Sequence, residues 1–123
     1  DYGRGVWPYK VKWNWANASG IQNGRVIGLN LGGQWTDGTG STENGLLVDG
    51  RISKISEDLK FEYNPNNFME PWTIKTTKTD VKLVKSEVHQ MIGHFSGTIV
   101  TDKGESITLD KLLGCSEDHF GQW

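Results

Sequence analysis

A single cysteine, Cys115, leaves no possibility of an internal disulfide, which suits a reducing compartment, and a cytoplasmic location is expected. No apolar run approaches the ~18 residues of a membrane-spanning helix, and no signal-peptide pattern occurs. Neither sign of charge dominates. With 13 Lys and Arg against 15 Asp and Glu, the net charge of -2 gives no bulk attraction to nucleic acid or anionic membrane. Cys-x-x-Cys and His-x-x-x-His spacings are both missing, so no zinc site is expected. No repeat of roughly 20–50 residues points to a solenoid or propeller. The sequence starts at Asp1 and not at Met, from which an excerpt or processed product is expected.

What is present is a chain of 123 residues, enough for one core, with an ordinary 35% hydrophobic and 23% charged residues; one domain over residues 1–123 is expected. Six Trp and 16 Gly are well above average usage. Indoles supply large apolar area with a polar handle, and glycines permit bulges and close backbone approach. The pair of excesses suggests a curved sheet with an aromatic-lined face.

The pattern repeats with period two between turn pairs. From Tyr9 to Ala18 the odd positions hold Tyr9, Val11, Trp13 and Trp15, against Lys10, Lys12 and Asn14. This alternation predicts a strand with both indoles turned inward. Asn23-Gly24 and Asp49-Gly50 are strong hairpin signals, and Lys103-Gly104 marks a third tight turn. Strands are expected over 25–31, 46–48, 51–55, 59–63, 72–76, 82–91, 95–101 and 106–109, with one helical turn at 110–114. About eight or nine short antiparallel strands with little helix predict an all-β barrel or sandwich.

Arg4-Gly-Val-Trp-Pro-Tyr9 with Trp13-Asn-Trp15, Asn30-Leu-Gly32, Trp35-Thr-Asp-Gly-Thr-Gly40, Thr42-Glu-Asn44 and Val48-Asp-Gly50 form ordered blocks. Ile55-Ser-Glu-Asp58, Lys85-Ser-Glu-Val-His-Gln-Met91, Phe95-Ser-Gly97 and the closing Glu117, His119 and Trp123 continue them. Together they resemble the family catalogued as domain of unknown function 2804 over nearly the whole chain. The resemblance implies the C-terminal half of a longer two-module protein, whose N-terminal module is an expected partner. The family is in turn distantly similar to the carotenoid 1,2-hydratase and tocopherol cyclase group, which implies a lipocalin-like (calycin-type) barrel. The connection around Thr79 to Leu83 is shorter than the family pattern.

Several residues are candidates for chemistry, each with a plain structural alternative. Trp13 and Trp15 either floor a ligand cavity or pack the core. Asp37 to Asn44 lacks the acidic spacing of a calcium loop and the lysine and helix of a phosphate loop, so no metal or nucleotide is expected there. Within it, Glu43 and Asn44 either bond neighbouring backbone or bring polar groups to a barrel mouth; Trp35, just before it, is a further ligand-binding candidate. Glu87 and His89 share a strand face, where a carboxylate beside an imidazole can do acid–base work if it faces a cavity; solvent is the commoner fate. Arg4 and Trp7 lie in an extended entry segment, with Glu43 and Glu117 as natural partners for the guanidinium. The distant resemblance implies that Glu117 and His119 belong to a proton-donating cluster; the alternative is a C-terminal tail tucked over the barrel end.

Three functions remain open from the residues. One is a barrel binding a hydrophobic small molecule, a lipid or terpenoid, with Asn30, Glu43, Glu87 or His89 orienting it. Another is an acid–base hydratase, cyclase or isomerase acting on such a molecule. The last is a carbohydrate-binding or structural module with exposed indoles. No cofactor is expected, and uncovered edge strands make a homodimer an expected partner state.

Overall fold

The computed structural model describes residues 5–6, 8–76, 82–89 and 92–122, with backbone alone for 82–89 and 121–122. Arg4, Trp7, Met91 and Trp123 lie outside the described residues, as does the connection at 79–81. Nine strands follow one another: β1 (Lys10–Gln22), β2 (Arg25–Gly33), β3 (Gly45–Val48), β4 (Arg51–Lys54), β5 (Leu59–Glu62), β6 (Trp72–Thr76), β7 (Lys82–His89), β8 (Ile92–Val100) and β9 (Ser106–Gln122). They make one antiparallel sheet in the order β4-β3-β2-β1-β9-β8-β7-β6-β5. Among the described residues there is no helix, and therefore none long and apolar enough to cross a membrane.

The hairpins form where the turn chemistry allows. Asn23 and Gly24 both take positive φ (52° and 75°), as do Asp49 and Gly50 (49° and 83°), the left-handed pair that a two-residue turn requires. Gly104 (φ 80°) closes the β8–β9 turn, where its N–H donates to Thr101 O at 2.9 Å.

The sheet curls but its ends do not pair. β4 and β5 remain as edges, so the expected closed barrel is not found. Curling is visible in what meets across it. At the end of β2, a Cβ on Gly33 would lie 3.0 Å from the Phe61 ring and 3.1 Å from Leu59 O of β5, a close approach that glycine eases. At the other end, Arg51 of β4 pairs with Asp102 in the β8–β9 turn at 2.9 Å, and Arg25 of β2 bonds both Asp49 and Glu105.

One face of the sheet turns inward and holds the core, including Ile27, Leu29, Leu31, Leu46, Leu59, Ile74, Phe95, Ile99, Leu109 and Leu112. Full burial of such a side chain contributes roughly 1.5–3 kcal/mol. Strand β1 gives this face Asn14, Ala16 and Ala18, not its indoles. This reverses the inward orientation expected of Trp13 and Trp15. The reason is room. A Cβ on Gly20 would stand 2.9 Å from Leu112 Cδ1, and one on Gly114 of β9 would stand 2.5 Å from Ala18 Cβ. Along β1 the interior takes alanine and glycine, and an indole does not fit.

The helical turn expected at 110–114 is also absent. Strand β9 continues through it with a bulge: Phe95 pairs with Leu112 and Gly97 with Leu109, so β9 carries one extra residue. Lys111 takes positive φ (50°), and its N–H donates to Ser96 Oγ at 3.0 Å. The bulge flips the alternation, so buried Leu109 and Leu112 are three apart and imitate a helical spacing.

Candidate functional site

Strands β2, β1 and β9 lie side by side, and on their outer face the register lines up chemically active residues. Trp13 pairs with His119, Trp15 with Glu117, and Asn17 with Cys115. On the other flank Trp15 pairs with Gly32 and Asn17 with Asn30. Half-buried indoles therefore lie in a band among carboxylates, amides and an imidazole.

Hydrogen bonds knit the band together. Trp15 Nε1–H donates to Asn30 Oδ1 at 2.9 Å, and Asn30 Nδ2 donates to Glu43 O at 2.9 Å. Trp35, 44% exposed, donates its indole N–H to Glu43 Oε1 at 3.0 Å. The Glu43 carboxylate lies against the sheet because residue 32 is glycine: a Cβ there would fall 2.3 Å from Glu43 Oε1. Directly opposed Cβ positions on neighbouring strands are roughly 5 Å apart, so this carboxylate lies beside Trp15. At the other end of the band, the His119 ring stacks on Trp13 with centroids 3.7 Å apart and planes 12° from parallel. His119 Nδ1 is 3.5 Å from Glu117 Oε1, with side chains 39% and 38% exposed.

Next to the band is an open groove of about 620 Å³. Gly28 and Gly45 give it a floor without side chains, Leu47 and Ile52 an apolar wall, and Asn17, Asn30 and Glu43 a polar one.

Seven of the residues singled out in the sequence are thus brought together: Trp13, Trp15, Asn30, Trp35, Glu43, Glu117 and His119. Asn44 is not among them. It is buried, accepts from Gly32 N–H at 2.6 Å and donates to Glu57 O at 3.2 Å, so it fastens the Gln34–Asn44 loop to the sheet. Glu87 and His89 stand opposite His94 and Ile92 in the β7–β8 register, on the far side of β8 from β9; their side chains are outside the described residues. No group of three or more His, Cys, Asp or Glu suited to a metal ion occurs among the described residues.

A second polar cluster, at one end of the inner face, was not legible in the sequence. Asn14, 1% exposed, donates from Nδ2 to Tyr63 Oη (3.2 Å), Glu117 O (3.2 Å) and Asp118 Oδ1 (3.1 Å), and accepts from Gln34 Nε2. Tyr63 stacks on buried Trp72 with centroids 4.1 Å apart. Lys12 lies 3.4 Å from Asp118, and its pKa is raised, first by the Tyr63 hydroxyl and then by Asp118. The available signal was the even-numbered run Asn14, Ala16, Ala18, small and polar enough to be passed over beside two tryptophans.

No curated protein and no solved structure matches the chain. A family model does, and the ordered sequence blocks are accounted for: the chain belongs to the family described as a domain of unknown function, DUF2804, whose model matches residues 1–123.

Proposed function

We propose that this domain is a binding module for a small amphipathic molecule and that its site is the outer face of β1, β2 and β9 with the adjoining groove. The hydrogen-bonded chain Trp15–Asn30–Glu43–Trp35 carries this reading. The Trp15 N–H is already bonded, so what its indole has left to offer a ligand is its ring face. Asn30 and Glu43 are held in place before anything binds, which lowers the ordering cost. The interior supports the reading from the other side, because Leu31, Leu46, Ile74, Phe95 and Ile99 are each 0% exposed in a packed core. The hydrophobic ligand expected inside a barrel is therefore assigned to the outer face, its apolar part against Leu47, Ile52 and the indole.

An open site with one or two aromatic contacts, each adding about 0.5–1.5 kcal/mol beyond the area it buries, gives modest affinity. Intrinsic tryptophan fluorescence titrated with terpenoid alcohols, long-chain amphiphiles and oligosaccharides tests it. Saturable change with at least one class is expected, weakened about tenfold by Trp15→Ala. A spectrum unmoved by every class would overturn the reading.

A second reading, acid–base chemistry on the same ligand as in the hydratase and cyclase group, draws on one observation: the Glu117–His119 pair is solvent-accessible and faces the band. It requires turnover that Glu117→Gln and His119→Ala abolish while ligand binding persists.

A further inference from the structure

We infer that the ligand of the outer face bears an organic cation, a protonated amine or a quaternary ammonium, seated between the Trp15 indole and the Glu43 carboxylate; this rests on the binding reading above. Glu43 is exposed and forms no ion pair among the described residues. Its one described side-chain hydrogen bond comes from a neutral donor, the Trp35 indole. Lys54, on the rim of the groove, does not answer it: the ammonium is turned onto Thr42 O at 2.6 Å and Asn44 O at 3.0 Å. The facing segments 13–19, 28–32 and 115–119 contain neither Lys nor Arg. Glycine at position 32 brings the carboxylate down onto the sheet next to an indole, and a carboxylate beside an aromatic face is a combination that selects cations.

The other end of the band sets an indole and a carboxylate against one ring. His119 stacks on Trp13 with centroids 3.7 Å apart, and its Nδ1 is 3.5 Å from Glu117 Oε1. Trp15 and Glu43 repeat the indole and the carboxylate, and no described side chain is stacked on Trp15 or ion-paired with Glu43. The groove of about 620 Å³ beside them has room for a trimethylammonium group and the chain attached to it.

The test is a fluorescence titration with choline and with its uncharged isostere 3,3-dimethylbutan-1-ol, each at low and high salt. Choline is expected to bind at least about tenfold more tightly than the isostere, and raised salt to weaken it as screening requires. Glu43→Gln is expected to abolish the difference without lowering the melting temperature. Gly32→Ala, which displaces the carboxylate while residue 43 remains a glutamate, provides a second variant with the same expectation. An isostere that binds as tightly as choline overturns the cationic ligand and leaves the binding reading standing. Indoles unmoved by choline, the isostere and every neutral ligand class overturn both.

Discussion

At the scale of single residues, two glycines with equally short approaches separate a movable neighbour from a fixed one. A Cβ at Gly32 meets the Glu43 side chain, whereas one at Gly114 meets Asn17 O at 2.1 Å and Ala18 Cβ at 2.5 Å. Gly32→Ala is therefore expected to cost less than about 1 kcal/mol, and Gly114→Ala about 3 kcal/mol or folding itself, as read by urea unfolding. Asn14 is a costly polar side chain to lose, being 1% exposed. Its amide serves Tyr63, Asp118 and Gln34 at once, so Asn14→Ala is expected to destabilise by about 1–3 kcal/mol. Tyr63→Phe, which removes one partner of that amide, is expected to cost less in the same measurement. The sequence named most of the outer band but gave it the wrong side of the sheet. Hydrophobicity alone sends tryptophan inward, while the space available, set by Leu112 and β9, sends in alanine instead.

At the scale of elements, the turns were legible and the long strands less so. Asn23-Gly24 and Asp49-Gly50 fix left-handed backbone locally, so no distant contact is needed to place them. The bulge in β9 depends on its partner β8, and from the sequence its Leu109–Leu112 spacing reads as a helical turn. Lys111→Gly distinguishes the two. In a helix the change costs about 1 kcal/mol, but at φ 50° it relieves left-handed strain and is expected to be neutral or to stabilise by up to about 1 kcal/mol. Thermal unfolding of the variant reads the sign directly. A clear drop in melting temperature would contradict the bulge.

At the scale of the whole molecule, exposed ion pairs tie parts of the curled sheet together and make its stability depend on acid. Glu62 of β5 is held at about 2, well below its ordinary 4.5, by Lys75 of β6 first and Lys60 second. Asp49 is lowered by Arg25 and Asp102 by Arg51. Each of these groups binds its proton more weakly in the folded chain than in the unfolded one. Their contribution is therefore complete above the unfolded pKa and is lost as pH falls through the folded value. For Glu62 the window runs from 4.5 down to about 2. Urea midpoints should fall across that range, and Glu62→Gln should flatten the fall. Because the pairs are exposed, added salt should shrink the effect. A pH profile identical in the variant would show that Glu62 takes no part.

The sequence by itself determined an antiparallel all-β chain, its tight turns and the residues worth watching, because alternation and left-handed turn positions are local properties of the backbone. Only the tertiary structure decided which face of β1 turns inward, that the curled sheet keeps two unpaired edges, and that Trp15, Asn30, Glu43, Glu117 and His119 meet on one surface. Those outcomes depend on how much room strands distant in sequence leave one another, and no local pattern records that volume.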